Sequence, residues 1–89
     1  MKPLFALGQI VATPGVLESV ARTDVLKALG RHALGDWGEV CGQDRQTNDE
    51  ALLHGFQLLS AYQSETGTKF WIITEGDRSV TTILLPDEY

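Results

Sequence analysis

The chain is poor in almost everything that marks a specialised chemistry. It has one cysteine, Cys41, so no intramolecular disulfide can form and a reducing compartment, the cytoplasm, is the expected location. Cys41 with His32 and His54 offers three soft ligands and no paired-cysteine spacing, so neither a metal nor any other cofactor is expected. Basic residues are scarce, seven against twelve acidic ones, for a net charge of −5. No basic block exists to displace counterions from phosphates, which argues against nucleic-acid binding. The acidity is itself too weak and too interrupted to imitate a nucleic acid. Long apolar runs are missing as well. The opening "MKPLFALGQIVATPG" lacks the apolar core and cleavage site of a signal peptide, and no stretch approaches the roughly 20 apolar residues of a membrane span. A soluble protein without membrane association is expected. Internal repeats, low-complexity tracts and linkers are absent.

What is present describes a small globular domain. The chain is 43% hydrophobic and 21% charged, and its 89 residues make a single domain, 1–89. A chain this short has a thin stability margin, which a partner subunit readily supplements.

"FALGQIVAT" reads as a strand stopped by Pro14-Gly15. Thr13 is the candidate cap of a helix beginning there, with Pro14 at a first helical position. Val16, Leu17, Val20 and Ala21, then Val25, Leu26, Ala28 and Leu29, repeat with helical spacing. They predict two short helices or one bent helix ending near Ala33, with Thr23-Asp24 as a second start. Gly35, Gly38 and Gly42 then mark a compact loop. In "DRQTNDEALLHG", Thr47 or Asn48 is the candidate cap of a short helix, with Asp49 and Glu50 in its first turn and Gly55 as its stop.

The last third predicts three strands, "FQLLSAY", "KFWIIT" and "SVTTILLP", joined by two tight turns into an antiparallel meander, with "DEY" as a tail. The fold expected is α+β: an N-terminal strand, two to three short helices, then a three-stranded antiparallel meander packed on the helices. In the middle strand Phe70 and Ile72 face one side while Trp71 and Ile73 face the other. Both sets are apolar, so both faces should be covered. Helices cover one; the N-terminal strand folding over, or a second subunit, must cover the other. A homodimer through the meander sheet, with Phe70 and Ile72 among its binding residues, is the favoured reading.

The residues with chemical capacity each carry two readings. His32 ends a predicted helix four residues before Asp36, a setting that favours a protonated imidazole, for acid/base work or for capping the helix. Capping or packing is the more economical. Trp37, between Asp36 and Gly38, either offers a ring to a ligand or plugs its loop into the core. Asp44, Gln46 and Asn48 hint at a calcium loop, but Asp49 stands where glycine is needed and Gly55 where a bidentate carboxylate belongs. Cys41 is read as a buried small hydrophobe rather than a nucleophile. In "EGDRS", Arg78 either grips a phosphate or carboxylate or pairs with Glu75 or Asp77 in an ordinary turn. Ser79, Thr81 and Thr82 add hydroxyls, and Ser60 and the candidate binding residue Tyr62 could share a face with some of them.

Taken together, "GQIVATPGVLE", "RHALGDWGEV", "LLSAY" and "FWIITEGDRSVTTILLPDEY" resemble a family of small uncharacterised bacterial proteins often encoded on plasmids, integrated elements or gene cassettes. The resemblance spans nearly the whole chain except the variable "CGQDRQTNDE". It implies a mobile-element origin and brings no activity. Helices followed by a meander are also similar to the small ribonuclease folds of the barnase and RelE kind. That likeness implies His32 as acid/base, Arg78 as stabiliser of the phosphorane, and Thr81 or Thr82 as positioning groups. The sequence thus supports two expectations. The first is a non-enzymatic accessory protein, a homodimer that binds a protein partner. The second is a small ribonuclease-like or phosphate-binding enzyme using His32 and Arg78, against which the acidic charge counts. Whether the chain catalyses anything is left open by its sequence.

Overall fold

The computed structural model describes residues 2–89. The elements are β1 (Gln9–Ala12), α1 (Pro14–Ser19), α2 (Arg22–Ala33), α3 (Gly42–His54), β2 (Leu58–Gln63), β3 (Lys69–Thr74) and β4 (Val80–Leu84), followed by a 3-10 turn at Pro86–Glu88. The class is α+β. The sheet has four strands in the order β1-β4-β3-β2. β2, β3 and β4 pair antiparallel, and β1 pairs parallel with β4. A mixed four-stranded sheet thus replaces the three-stranded one expected. The reason is the free edge of β4, whose open N–H and C=O groups the N-terminal strand takes up.

Thr13 caps α1 as the sequence suggests, accepting the Val16 N–H at 3.3 Å, with Pro14 first in the helix. The capping signals further on mislead. α2 starts before Thr23, with Ala21 at its cap and Asp24 inside its first turn. α3 starts at Gly42, well before Thr47 or Asn48, and Cys41 is its cap. Thr47 instead turns its hydroxyl back to the Gln43 carbonyl at 2.9 Å, a bond available in mid-helix to a residue type that otherwise favours caps. Gly55 does end the helix, in the left-handed conformation at φ 74°.

The helices lie on one face of the sheet. There Val16, Val20, Ala28, Tyr62, Phe70, Ile72 and Ile83 form the main core. A second cluster gathers Trp37, Ala51 and Leu58 with Phe5, Val40 and Leu52. Phe70 and Ile72 therefore point into the chain's own core rather than out to a partner. On the opposite face of β3, Ile73 is buried and Trp71 half-buried. Neither β1 nor the helices reach that face. The C-terminal residues read as a tail do. Tyr89 meets Trp71 edge-on at 5.8 Å, and Glu88 holds the turn by accepting the Leu85 N–H at 2.8 Å and the Thr13 hydroxyl at 2.6 Å. No helix among the described residues is long and apolar enough to cross a membrane.

Candidate functional site

The glycine-rich loop after α2 is shaped by close approach. Gly38 (φ 74°) lies where any Cβ would run into the Ala61 carbonyl oxygen and come within 2.8 Å of the Tyr62 ring. That proximity lets the loop backbone dock on β2: Ala61 N–H donates to the Trp37 carbonyl at 3.1 Å, and Glu39 N–H to the Ala61 carbonyl at 2.7 Å. Asp36 fastens the loop from the other side. Its carboxylate takes the Arg31 guanidinium at 2.7 Å and the Gly38 N–H at 3.2 Å, and the guanidinium holds that carboxyl below the usual range. Trp37 is buried, its indole N–H donating to Asp49 at 3.2 Å. The tryptophan plugs the loop into the core and presents no face to a ligand.

Tyr62 is buried too. Its hydroxyl donates to the Asp36 carbonyl at 2.6 Å, the Arg31 guanidinium lies 4.9 Å over its ring, and burial pushes its pKa up to about 12. Nothing in this arrangement deprotonates it at neutral pH.

His32 departs furthest from its expected setting. It reaches inward from α2 and has no accessible surface. It neither bonds the helix's last carbonyls nor meets Asp36, which Arg31 has claimed. Its Nδ1 contacts the Ser60 hydroxyl on β2, and its Nε2 lies 2.9 Å from the Thr74 hydroxyl on β3. Thr74 is 2.8 Å from the Thr81 hydroxyl on β4, and Thr81 donates to the Leu7 carbonyl at 2.6 Å. A carbonyl can only accept, so this end fixes the direction of the whole chain of bonds. Thr81 spends its proton on Leu7 and accepts from Thr74; Thr74 then accepts from Nε2–H; Nδ1, bare, accepts from Ser60. The imidazole is neutral. Burial, with a smaller push from the Arg78 cation, lowers its pKa to about 4.

Arg78 sits in the hairpin turn in the left-handed region at φ 62°. It grips neither Glu75 nor Asp77 by the carboxylate. Its guanidinium donates to the backbone carbonyls of Phe56 at 2.7 Å, Ala51 at 3.0 Å and Glu75 at 3.2 Å. Ala51 lies in the last turn of α3, so Arg78 is a cap supplied from across the fold. Asp77 spends its carboxylate on the Ser79 N–H at 3.0 Å and hydroxyl at 2.6 Å.

His32, Trp37 and Arg78 do converge, but on a residue that no sequence motif marks. The Phe5 ring meets His32 edge-on at 5.2 Å and stacks on Trp37 at 6.2 Å, and the Arg78 guanidinium lies 5.5 Å from its centre. An apolar ring, rather than a cleft, is thus what the three side chains share. Asn48 has a role beyond the capping its type suggests: it is buried in α3, donates to the Leu59 carbonyl at 2.6 Å and accepts the Leu59 N–H at 3.1 Å. The one signal for it in the sequence is an amide in mid-helix, where it competes poorly with the backbone unless something else uses it. Cys41 is exposed, contrary to the buried hydrophobe expected. Thr81 is buried in the His32 chain of hydroxyls. Among the described residues no three His, Cys, Asp or Glu side chains gather as metal ligands. No protein-family model, curated protein or solved structure matches the chain.

Proposed function

We propose that the protein is a non-enzymatic protein-binding module that works as a homodimer, in the mobile-element setting its sequence resemblance implies. One observation carries this reading: each residue that the ribonuclease reading calls on, His32, Arg78 and Thr81, is engaged by the fold. His32 is sealed with both ring nitrogens engaged, Thr81 donates inward, and Arg78 caps a helix. An acid/base group needs hydrogen-bond reach to a substrate proton, and a histidine with a pKa of about 4 is a poor proton donor at neutral pH. Outward the molecule offers exposed apolar side chains in several places, Ile10, Val11 and Leu17 among them and Leu53 and Phe56 elsewhere.

The test pairs sedimentation velocity with an RNA-cleavage assay on single-stranded and folded RNA. The expected result is a dimer and no cleavage above that of a mock purification. A cleavage activity that disappears in His32→Ala, while the variant remains folded by circular dichroism, overturns the reading in favour of a ribonuclease.

A further inference from the structure

The two edges of the sheet differ sharply. On β2 the outer backbone groups of Leu59 are taken by the Asn48 side chain, and those of Ala61 by the Trp37–Glu39 loop. Among the described residues nothing comparable covers β1. Gln9 N–H donates to Ser79 and Thr13 N–H to Ile83, so the odd-numbered residues turn their backbone groups to β4. Ile10 and Ala12 turn theirs to the open edge.

Such edges are commonly blunted by charge, proline or a bulge. β1 has none of these within it, and residues 3–17 hold no ionisable side chain. Ile10 is 49% exposed and Val11 37%. Ile10 and Ala12 share the helix-bearing face with their β4 partners Thr81 and Ile83. On that same face a cavity of about 310 Å³ opens beside Ala12, lined by Val16, Leu17, Val20, Arg22 and Val25.

We infer that β1 pairs antiparallel with β1 of a second copy, with Val11 on the dimer axis. The inference rests on the homodimer reading and names its surface. The register is set by which groups point outward. Ile10 exchanges both backbone bonds with the partner's Ala12, the axis repeats the exchange, and Val11 faces the partner's Val11 in the closer, non-hydrogen-bonded position. Centring on Ala12 would place Pro14, which has no N–H, opposite Ile10. Centring on Ile10 would draw in Gly8, whose φ of 65° is outside the strand region. The register centred on Val11 avoids both. It also sets the partner's Ile10 beside Ala12, at the mouth of the apolar cavity, so one side chain supplies both strand pairing and filling. Two chains of net charge −5 meet here through a segment without charge, which spares the contact a local repulsion. Both helical layers lie on one face of a continuous sheet.

The experiment compares wild type with Ile10→Pro and Val11→Lys by sedimentation velocity. The proline removes only the outward N–H, and the lysine places two like charges on the axis. Wild type should sediment as a dimer; each variant should keep its circular dichroism spectrum and lose at least about tenfold in dimer affinity, a change on the order of 1.4 kcal/mol. In a Cys41→Ser background, Val11→Cys should cross-link on mild oxidation, while Gln9→Cys, offset from its own copy, should not. A dimer that survives both edge variants, cross-links no faster at position 11 than at 9, and falls apart in Trp71→Lys overturns this surface and leaves the homodimer standing. A wild type that is monomeric at all concentrations overturns both. A monomer that binds only added β-strand peptides of foreign sequence overturns self-pairing in favour of another protein's strand.

Discussion

The hydrogen between His32 Nε2 and Thr74 Oγ1, across 2.9 Å, belongs to the histidine, and its owner is set by the Leu7 carbonyl two hydroxyls away. The imidazole is therefore expected in the Nε2–H tautomer, with Nδ1 unprotonated. Nitrogen-15 correlation spectra of the His32 ring at pH 7 check this. A protonated Nδ1 contradicts the assigned direction of every bond in the chain.

Stability should fall as the solution is acidified through the same group. His32 in the folded protein has a pKa of about 4, against 6.5 for the ordinary side chain, so between those values the unfolded chain binds the extra proton. The stabilising contribution is complete above about pH 6.5 and declines as pH drops toward 4. A shift of this size is worth about 3 kcal/mol at the acid end. Urea melts at intervals from pH 7 to 4 measure it. A His32→Leu variant, less stable at pH 7, should show a shallower slope over that window and converge on wild type toward pH 4.

That same variant tests how the network is held together. His32→Leu leaves the Ser60 and Thr74 hydroxyls without their nitrogen partners in a site with no accessible surface. The expected loss is roughly 2–4 kcal/mol. Removing the stranded hydroxyls as well, with Ser60→Ala and Thr74→Val, should recover part of it, because apolar replacement of all partners costs less than orphaning one. Chemical denaturation of the single and triple variants gives the coupling.

Arg78→Ala should destabilise the protein by about 1–2 kcal/mol, since it removes the guanidinium's bonds to the Phe56 carbonyl just past α3 and to the Ala51 carbonyl, which keeps only its backbone donors Gly55 and Phe56. Amide exchange in the last turn of α3 should accelerate more than in β3. A substrate-gripping arginine would leave both unchanged.

Gly38→Ala should cost at least about 2 kcal/mol through the left-handed backbone and the collision with β2. Its signature is local: Trp37 fluorescence shifts toward that of a wetter indole as the loop lifts from Ala61.

The sequence discloses the elements better than their assembly. Strand β3 coincides with "KFWIIT", and Gly55 marks the end of α3, because alternation and left-handed glycine are local signals. The start of α3 is obscured because Thr47, Asn48 and Asp49 are all favourable capping types; Thr47 bonds back within the helix, and Asn48 and Asp49 are used in tertiary bonds. The partner of β1 lies at the other end of the chain, which no window of sequence reveals. Phe5 is hidden for a similar reason: its neighbours His32, Trp37 and Arg78 come from three separate segments. The two-faced covering of β3 is legible, but the material that supplies it, Pro86 to Tyr89, reads as a loose end because so short a polar and aromatic stretch carries no periodicity.

The pairing of β1 with β4 also orders the life history of the chain. Leu7 and Thr81 bond across 74 positions, and Thr13 and Glu88 across 75, so the β1 segment finds its place only once the β4 segment is present. The hairpins of β2, β3 and β4 close over short loops, whereas docking of the N-terminal strand must close a much longer one, which disfavours its forming first. A polypeptide cut before Val80 would keep its helices and part of the meander but lack β4, the strand on which β1 pairs. Quality control by cellular proteases could then act on a few missing residues as decisively as on a broken core.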